Sequence, residues 1–233
     1  MTFNDLLETG RRLLIVSLPE NSIDYAKAAM DAGADAVKLH VNVTHRATQT
    51  EHASWATLRD KVKQIYSELG CCMGMVPGTT TMANEHEINE MIDCGISLFD
   101  AYADFAPLYL LKARATVMIA LNHTSSLNMA KELAAIGADC VEVSIVSPEH
   151  YREPLTVTDL IHYRQILGET TLPAFVPTEK HILPDEIAPL FDLGFRGLII
   201  GPVVTGVDMD TFGGVIRTYS KVIHHYNEKQ GRH

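Results

Sequence analysis

Three charged residues stand inside short apolar runs, where a soluble protein seldom puts charge. Val37-Lys38-Leu39-His40-Val41-Asn42 alternates strictly. An extended chain sends Lys38, His40 and Asn42 to one side and Val37, Leu39 and Val41 to the other. Asp100 in Leu98-Phe99-Asp100-Ala101-Tyr102 and Glu142 in Val141-Glu142-Val143-Ser144 repeat the arrangement. Burial lowers a lysine pKa, which fits Lys38 as a base, a Schiff-base amine or an anion holder. Asp100 and Glu142 suit acid/base work beside it, because neighbouring groups push each other's pKa values apart. The alternative is a buried ion-pair network that only organises the interior. That is a costly filling, since desolvation often outweighs the attraction, and catalysis is the expectation here.

Histidine adds less. His40 and His123 fall at or beyond strand ends, and His45, His52, His150 and His181 fall on connecting segments. No HxH, HExxH or Cys/His spacing occurs, so no cofactor is expected, although His40 with Asp100 and Glu142 leaves room for a divalent metal. The four cysteines include no CxxC pair and read as core thiols.

The elements that carry these residues follow from a repeated pattern. Four times a helical pattern stops at a glycine and an apolar strand follows: Ala32 to His40, Cys94 to Tyr102, Ile136 to Ser144 and Leu193 to Gly201. A helix that must turn sharply into a strand ends most easily on a left-handed residue. Between these units lie four more strand candidates, Arg12 to Leu18, Cys71 to Val76, Ala115 to Leu121 and Leu172 to Thr178. Eight strands alternating with eight helices predict an α/β fold, a single (β/α)8 TIM barrel over residues 1–233, with its chemistry at the C-terminal strand ends. Asn42 and Asn122 are then candidate substrate contacts. Residues 2–10 read as a short helix over the N-terminal end. Further helices are expected at Ser22 to Ala32, Trp55 to Leu69, Pro107 to Arg114, from Pro184, and at Asp210 to Tyr226. Asn227 to His233 reads as a frayed tail. The polar stretch Val43 to Ser54 and the segment Ile145 to Leu155 are long connections on the active face, the usual place for lids or clamps.

Composition bounds the partners. Hydrophobic content of 46% and charged content of 21% suit a globular core. A net charge of -10 argues against a nucleic-acid partner, though local cations still allow an anionic substrate. No apolar run is long enough for a bilayer and the first residues lack a signal-peptide pattern, so no membrane association and a cytoplasmic location are expected. A homodimer is compatible with the sequence, but nothing in it fixes an interface.

The end of the chain is the most specific stretch. Phe195 to Tyr219, FRGLIIGPVVTGVDMDTFGGVIRTY, resembles the last strand, phosphate-binding turn and helix of the ribulose-phosphate-binding barrels, most nearly the N-acetylmannosamine-6-phosphate 2-epimerases. The resemblance implies a small phosphorylated metabolite held at Gly201, Val204, Thr205 and Gly206. Glu179-Lys180-His181-Ile182-Leu183-Pro184 resembles the strand-7 glutamate segment of that family, implying an acid/base role for Glu179. Lys180 replaces the glycine that usually follows, and would grip the phosphate by charge. Leu98-Phe99-Asp100-Ala101 resembles the strand-4 aspartate segment. The family lysine at the end of strand 3 is missing from Gly74-Met75-Val76-Pro77-Gly78-Thr79, and Lys38 on the adjacent strand is the candidate substitute. The expected reaction is proton transfer next to a carbonyl: epimerisation, isomerisation or an aldol-type cleavage. A barrel that binds a phospholigand without turning it over is the other reading.

Overall fold

The computed structural model describes residues 1–231. Eight parallel strands close into one barrel: β1 (Leu13–Ser17), β2 (Ala36–His40), β5 (Met73–Val76), β6 (Ile96–Tyr102), β7 (Thr116–Ala120), β8 (Cys140–Glu142), β9 (Ala174–Pro177) and β10 (Gly197–Ile200). Each pairs with its neighbour in sequence, and β10 pairs back onto β1. β3 (Val43–Thr44) and β4 (Glu51–His52) stand apart as an antiparallel hairpin inside the long connection after β2.

The glycine signal has the conformation it implied. Gly33, Gly95, Gly137 and Gly194 have φ of 96°, 94°, 95° and 124°, a region that side chains with a Cβ rarely adopt. Gly33 has a second constraint, because a Cβ there would overlap Ser220 Oγ on the last helix.

The helices are α1 (Phe3–Glu8), α2 (Ile23–Asp31), α3 (Trp55–Leu69), α4 (Glu85–Asp93), α5 (Leu127–Glu132), α6 (Val157–Glu169), α7 (Ile187–Leu193), α8 (Pro202–Thr205) and α9 (Met209–Gln230). Ser22, Asn84 and Thr156 cap α2, α4 and α6 through side-chain oxygens. Two expectations need correction. Between β6 and β7 there is no α-helix, only a 3-10 turn at Leu110–Lys112, so the alternation is broken there. Backbone bonds in that segment run from residue i to i−3, as from Leu110 N–H to Pro107 and from Ala113 N–H to Leu110. The second correction concerns the tail, because α9 continues to Gln230. Asn227 pins it, accepting from Arg12 N–H at 2.7 Å and donating to Arg12 O at 3.0 Å. Arg232 and His233 lie outside the described residues.

Strand alternation divides the core in two. Val37, Leu39 and Val41 face the helices with Leu14, Val16, Phe99 and Ile200. Leu13, Ile15, Ala36, Cys72, Leu98, Met118, Cys140, Phe175 and Ile199 fill the lower lumen, closed from below by Phe3 and Leu6 of α1. The Phe3 and Phe175 rings lie 5.8 Å apart. Above this apolar floor the inward positions turn polar.

Candidate active site

Moving up each strand by two residues from the apolar floor gives Ser17, Lys38, Asp100, Glu142, Pro177 and Gly201, then His40, Tyr102, Ser144 and Glu179. All of them line one cavity of about 350 Å³. Lys38 Nζ donates to Asp100 Oδ2 at 2.5 Å and to Glu142 Oε2 at 2.7 Å. The position on β5 between the strands of Lys38 and Asp100 is Gly74, where a Cβ would press on Leu98 Cδ2 at 3.1 Å. Burial would depress the lysine, but Asp100 and Glu142 more than offset it, so its pKa is raised and it stays charged. Asp100 is pushed well above the usual carboxylate range, by burial first and by the Glu142 charge second. Glu142 is lowered, because Lys38 and a hydrogen bond from Asp100 outweigh its burial. The opposed shifts bias Asp100 toward its neutral form and Glu142 toward its charged one. Asp100 Oδ1 is buried and has no hydrogen-bond partner.

Glu179 forms the opposite wall. Its Oε1 accepts from Ser144 Oγ at 2.5 Å and from Tyr151 OH at 2.6 Å, while Oε2 accepts from Val146 N–H at 3.0 Å. Tyr102 OH lies 3.0 Å from Ser144 Oγ and donates to it, since the serine proton is engaged by Glu179. Burial raises the carboxyl, the three donors pull it back, and its pKa comes to about 7. Such a group is half ionised at neutral pH, the condition under which one side chain can both take and return a proton.

The mouth is covered by two connections. Arg46 on the hairpin lies over the Tyr102 ring, 4.6 Å from its centroid. Arg152 Nη2, on the segment after β8, donates to Ala47 O at 2.7 Å, and Arg152 N–H donates to Glu179 O at 2.9 Å. His40, His45 and His52 cluster beside them with centroids 4.8 to 6.3 Å apart. Burial keeps all three below the ordinary histidine range, His45 at about 4. His40 Nε2 lies 3.2 Å from Ser17 Oγ. Among the described residues no group of three or more His, Cys, Asp or Glu is arranged to hold a metal ion.

Several expected contacts lie off this cavity. Asn42 adopts φ of 53°, which takes it out of the alternation that was to bring it above His40, and it does not line the cavity. Asn122 turns its amide to Asp104 Oδ2 at 2.6 Å and caps its own turn through Thr124 N–H at 2.8 Å. His123 is exposed. Lys180 points to the outside of the barrel end, bonded to Glu153 at 3.0 Å and within 3.8 Å of Asp159. Val204, Thr205 and Gly206 do not line the cavity either. The turn's own N–H groups are mostly committed: Gly201 N–H to Thr178 Oγ1 at 3.0 Å, Val204 and Thr205 N–H to Gly201 O at 3.0 Å each, and Gly206 N–H to Pro202 O at 3.2 Å. Pro202 has none.

Some lining residues were not singled out in advance. Tyr102 and Ser144 follow Asp100 and Glu142 by two, so the same alternation marked them. Arg46 and Tyr151 lie on connections without period, and only the folded mouth brings them in.

No family model matches the chain, and no curated protein matches it in sequence. Solved structures do match. They include 3-hexulose-6-phosphate synthase (13% identity, TM-score 0.64, covering 90% of this chain and 99% of that one). Phosphoribosyl anthranilate isomerase from Thermus thermophilus matches with 12% identity and a TM-score of 0.66, over 91% of this chain and 99% of that one. Thiamine phosphate pyrophosphorylase from Pyrococcus furiosus matches with 13% identity and a TM-score of 0.64, over 94% and 98%. At these identities what is shared is the fold, a barrel of the TIM type. No described helix is long and apolar enough to cross a membrane.

Proposed function

We propose that this chain is an enzyme of the ribulose-phosphate-binding barrel kind that moves a proton on the carbon next to the carbonyl of a small phosphorylated metabolite. The observation that carries it is a buried Glu179 with a pKa of about 7 on the wall of the cavity whose floor holds a charged Lys38. Glu179 takes the proton from the carbon. The electron pair moves onto the carbonyl oxygen, where the Lys38 ammonium stabilises the developing negative charge. Return of the proton to the former carbonyl carbon, with the neighbouring hydroxyl passing its proton to the enolate oxygen, gives isomerisation. Its return to the opposite face of the same carbon, after the enolate turns over Glu179, gives epimerisation. Asp100, biased toward its neutral form by burial and by Glu142, would serve as a second donor for that oxygen.

Two considerations order the alternatives. A Schiff-base aldol reaction needs a neutral amine, and the two carboxylates on Lys38 oppose that form, so proton transfer is favoured. The nearer likeness to the epimerases is supported by Asp100 and Glu179 facing the same cavity. The three matched structures all carry a phosphorylated or phosphoribosyl compound in their descriptions. The second reading, a barrel that holds a phospholigand without chemistry, is favoured by the engagement of Lys38 with both Asp100 and Glu142. Incubation with a panel of ketose and aldose phosphates in deuterated water separates them. Carbon-bound deuterium should appear by NMR with the wild type and be lost in Glu179→Gln and Lys38→Met. Ligand-induced stabilisation with no deuterium uptake on any of them would leave the binding reading in its place.

A further inference from the structure

We infer that the anion-binding subsite of this cavity lies on the β3–β4 hairpin, at Arg46, and takes a phosphate monoester. The cations that line the cavity are Lys38 and Arg46. Two of the three Lys38 donors are already engaged by Asp100 and Glu142, which leaves one N–H, too few for the oxygens of a dianion. Arg46 has no carboxylate within ion-pair distance among the described residues, whereas Lys180 is bonded to Glu153 outside the cavity and Arg152 is engaged by Ala47 O. The glycine turn after β10 is short of donors, with Val203 the only one of residues 201–206 whose N–H exists and has no backbone or side-chain acceptor.

Arg46 is also held ready. Its guanidinium lies on the Tyr102 ring and beside the Tyr151 hydroxyl, an arrangement that fixes its plane at the mouth. The next residue, Ala47, is clasped by Arg152 across the mouth. A planar fork that meets no carboxylate and has only the Tyr151 hydroxyl beside it suits the oxygens of one phosphate. The reacting end of the same molecule would then reach down between Glu179 and Lys38. The inference rests on the proposed function only for the substrate being a phosphate ester.

Inorganic phosphate, titrated calorimetrically into the whole protein, tests it. The wild type should bind; Arg46→Met should weaken binding about tenfold or more, and Arg46→Lys, which keeps charge without the fork, should fall between. Gly201→Ala is the opposing arm. A Cβ there meets nothing nearer than Ser17 Cβ at 3.5 Å, so the chain can fold while a methyl group obstructs the turn. A loss in Gly201→Ala as large as in Arg46→Met, or no binding by the wild type, overturns the subsite. Acetate binding as tightly as phosphate overturns its assignment to a phosphate group. Deuterium exchange is read separately, so a site that binds phosphate through Arg46 but exchanges no carbon-bound hydrogen would sink the proposed reaction and leave this subsite standing.

Discussion

Glu179 and Lys38 are both buried, and they answer to different physics. Burial dominates at Glu179, so its folded pKa of about 7 stands above that of an unfolded glutamate. A carboxyl raised in the folded state adds stability below its unfolded pKa and loses it as pH climbs through the folded one. The expected loss between about pH 4.5 and 7 is roughly 3 kcal/mol. Urea unfolding at pH 5 and pH 8 checks this: wild type should weaken relative to Glu179→Gln as pH rises, and parallel curves would contradict it. At Lys38 charge dominates. Lys38→Met strands two carboxylates and should cost roughly 3–5 kcal/mol. Adding Asp100→Asn and Glu142→Gln should restore most of that stability without restoring turnover. A triple variant that regains both would make the lysine purely structural. These three charges were legible because period-two alternation gives each residue a side. The opposed shifts of Asp100 and Glu142 were not, since they depend on a distance across the lumen.

At the scale of elements, what read clearly was whatever the backbone alone decides. Helix ends at left-handed glycines and the run Trp55–Leu69 with Gly70 in the left-handed conformation at its C-cap are local events. Pro107 to Arg114 misled because apolar spacing over eight residues cannot tell an α-helix from a 3-10 turn under a buried Leu110. Asn42 misled for a related reason: alternation holds only while the strand does, and β2 ends at His40. The long connections were legible as length and not as shape. Their clasp gives a testable prediction. Arg152→Ala removes the bond to Ala47 O, and hydrogen exchange at His45 and Val43 of the hairpin should quicken while β1 and β10 amides stay protected. Equal protection in both proteins would mean that the hairpin stands without Arg152.

For the whole molecule, closure was implied by counting strands, but the division of the lumen was not. An apolar lower half sealed by α1 and a polar upper half open at the mouth arise only when eight inward-facing sets meet at the axis. This division predicts that stability and binding can be changed separately. Phe3 is fully buried against the lower lumen, beside Phe175, at the end of the barrel opposite the cavity. Phe3→Ala deletes a large apolar group and leaves a hole that the closed barrel cannot easily fill, an effect of about 3–5 kcal/mol. No polar partner is stranded, so the loss should appear as a lower denaturant midpoint with an unchanged slope. Phosphate affinity per folded molecule should stay at the wild-type level, because Arg46 is held at the mouth by Tyr102 and the Arg152 bond to Ala47 and not by the helix below. If Phe3→Ala instead abolishes phosphate binding in protein that is still fully folded, the two halves of the lumen are coupled, and α1 belongs to the site it lies beneath.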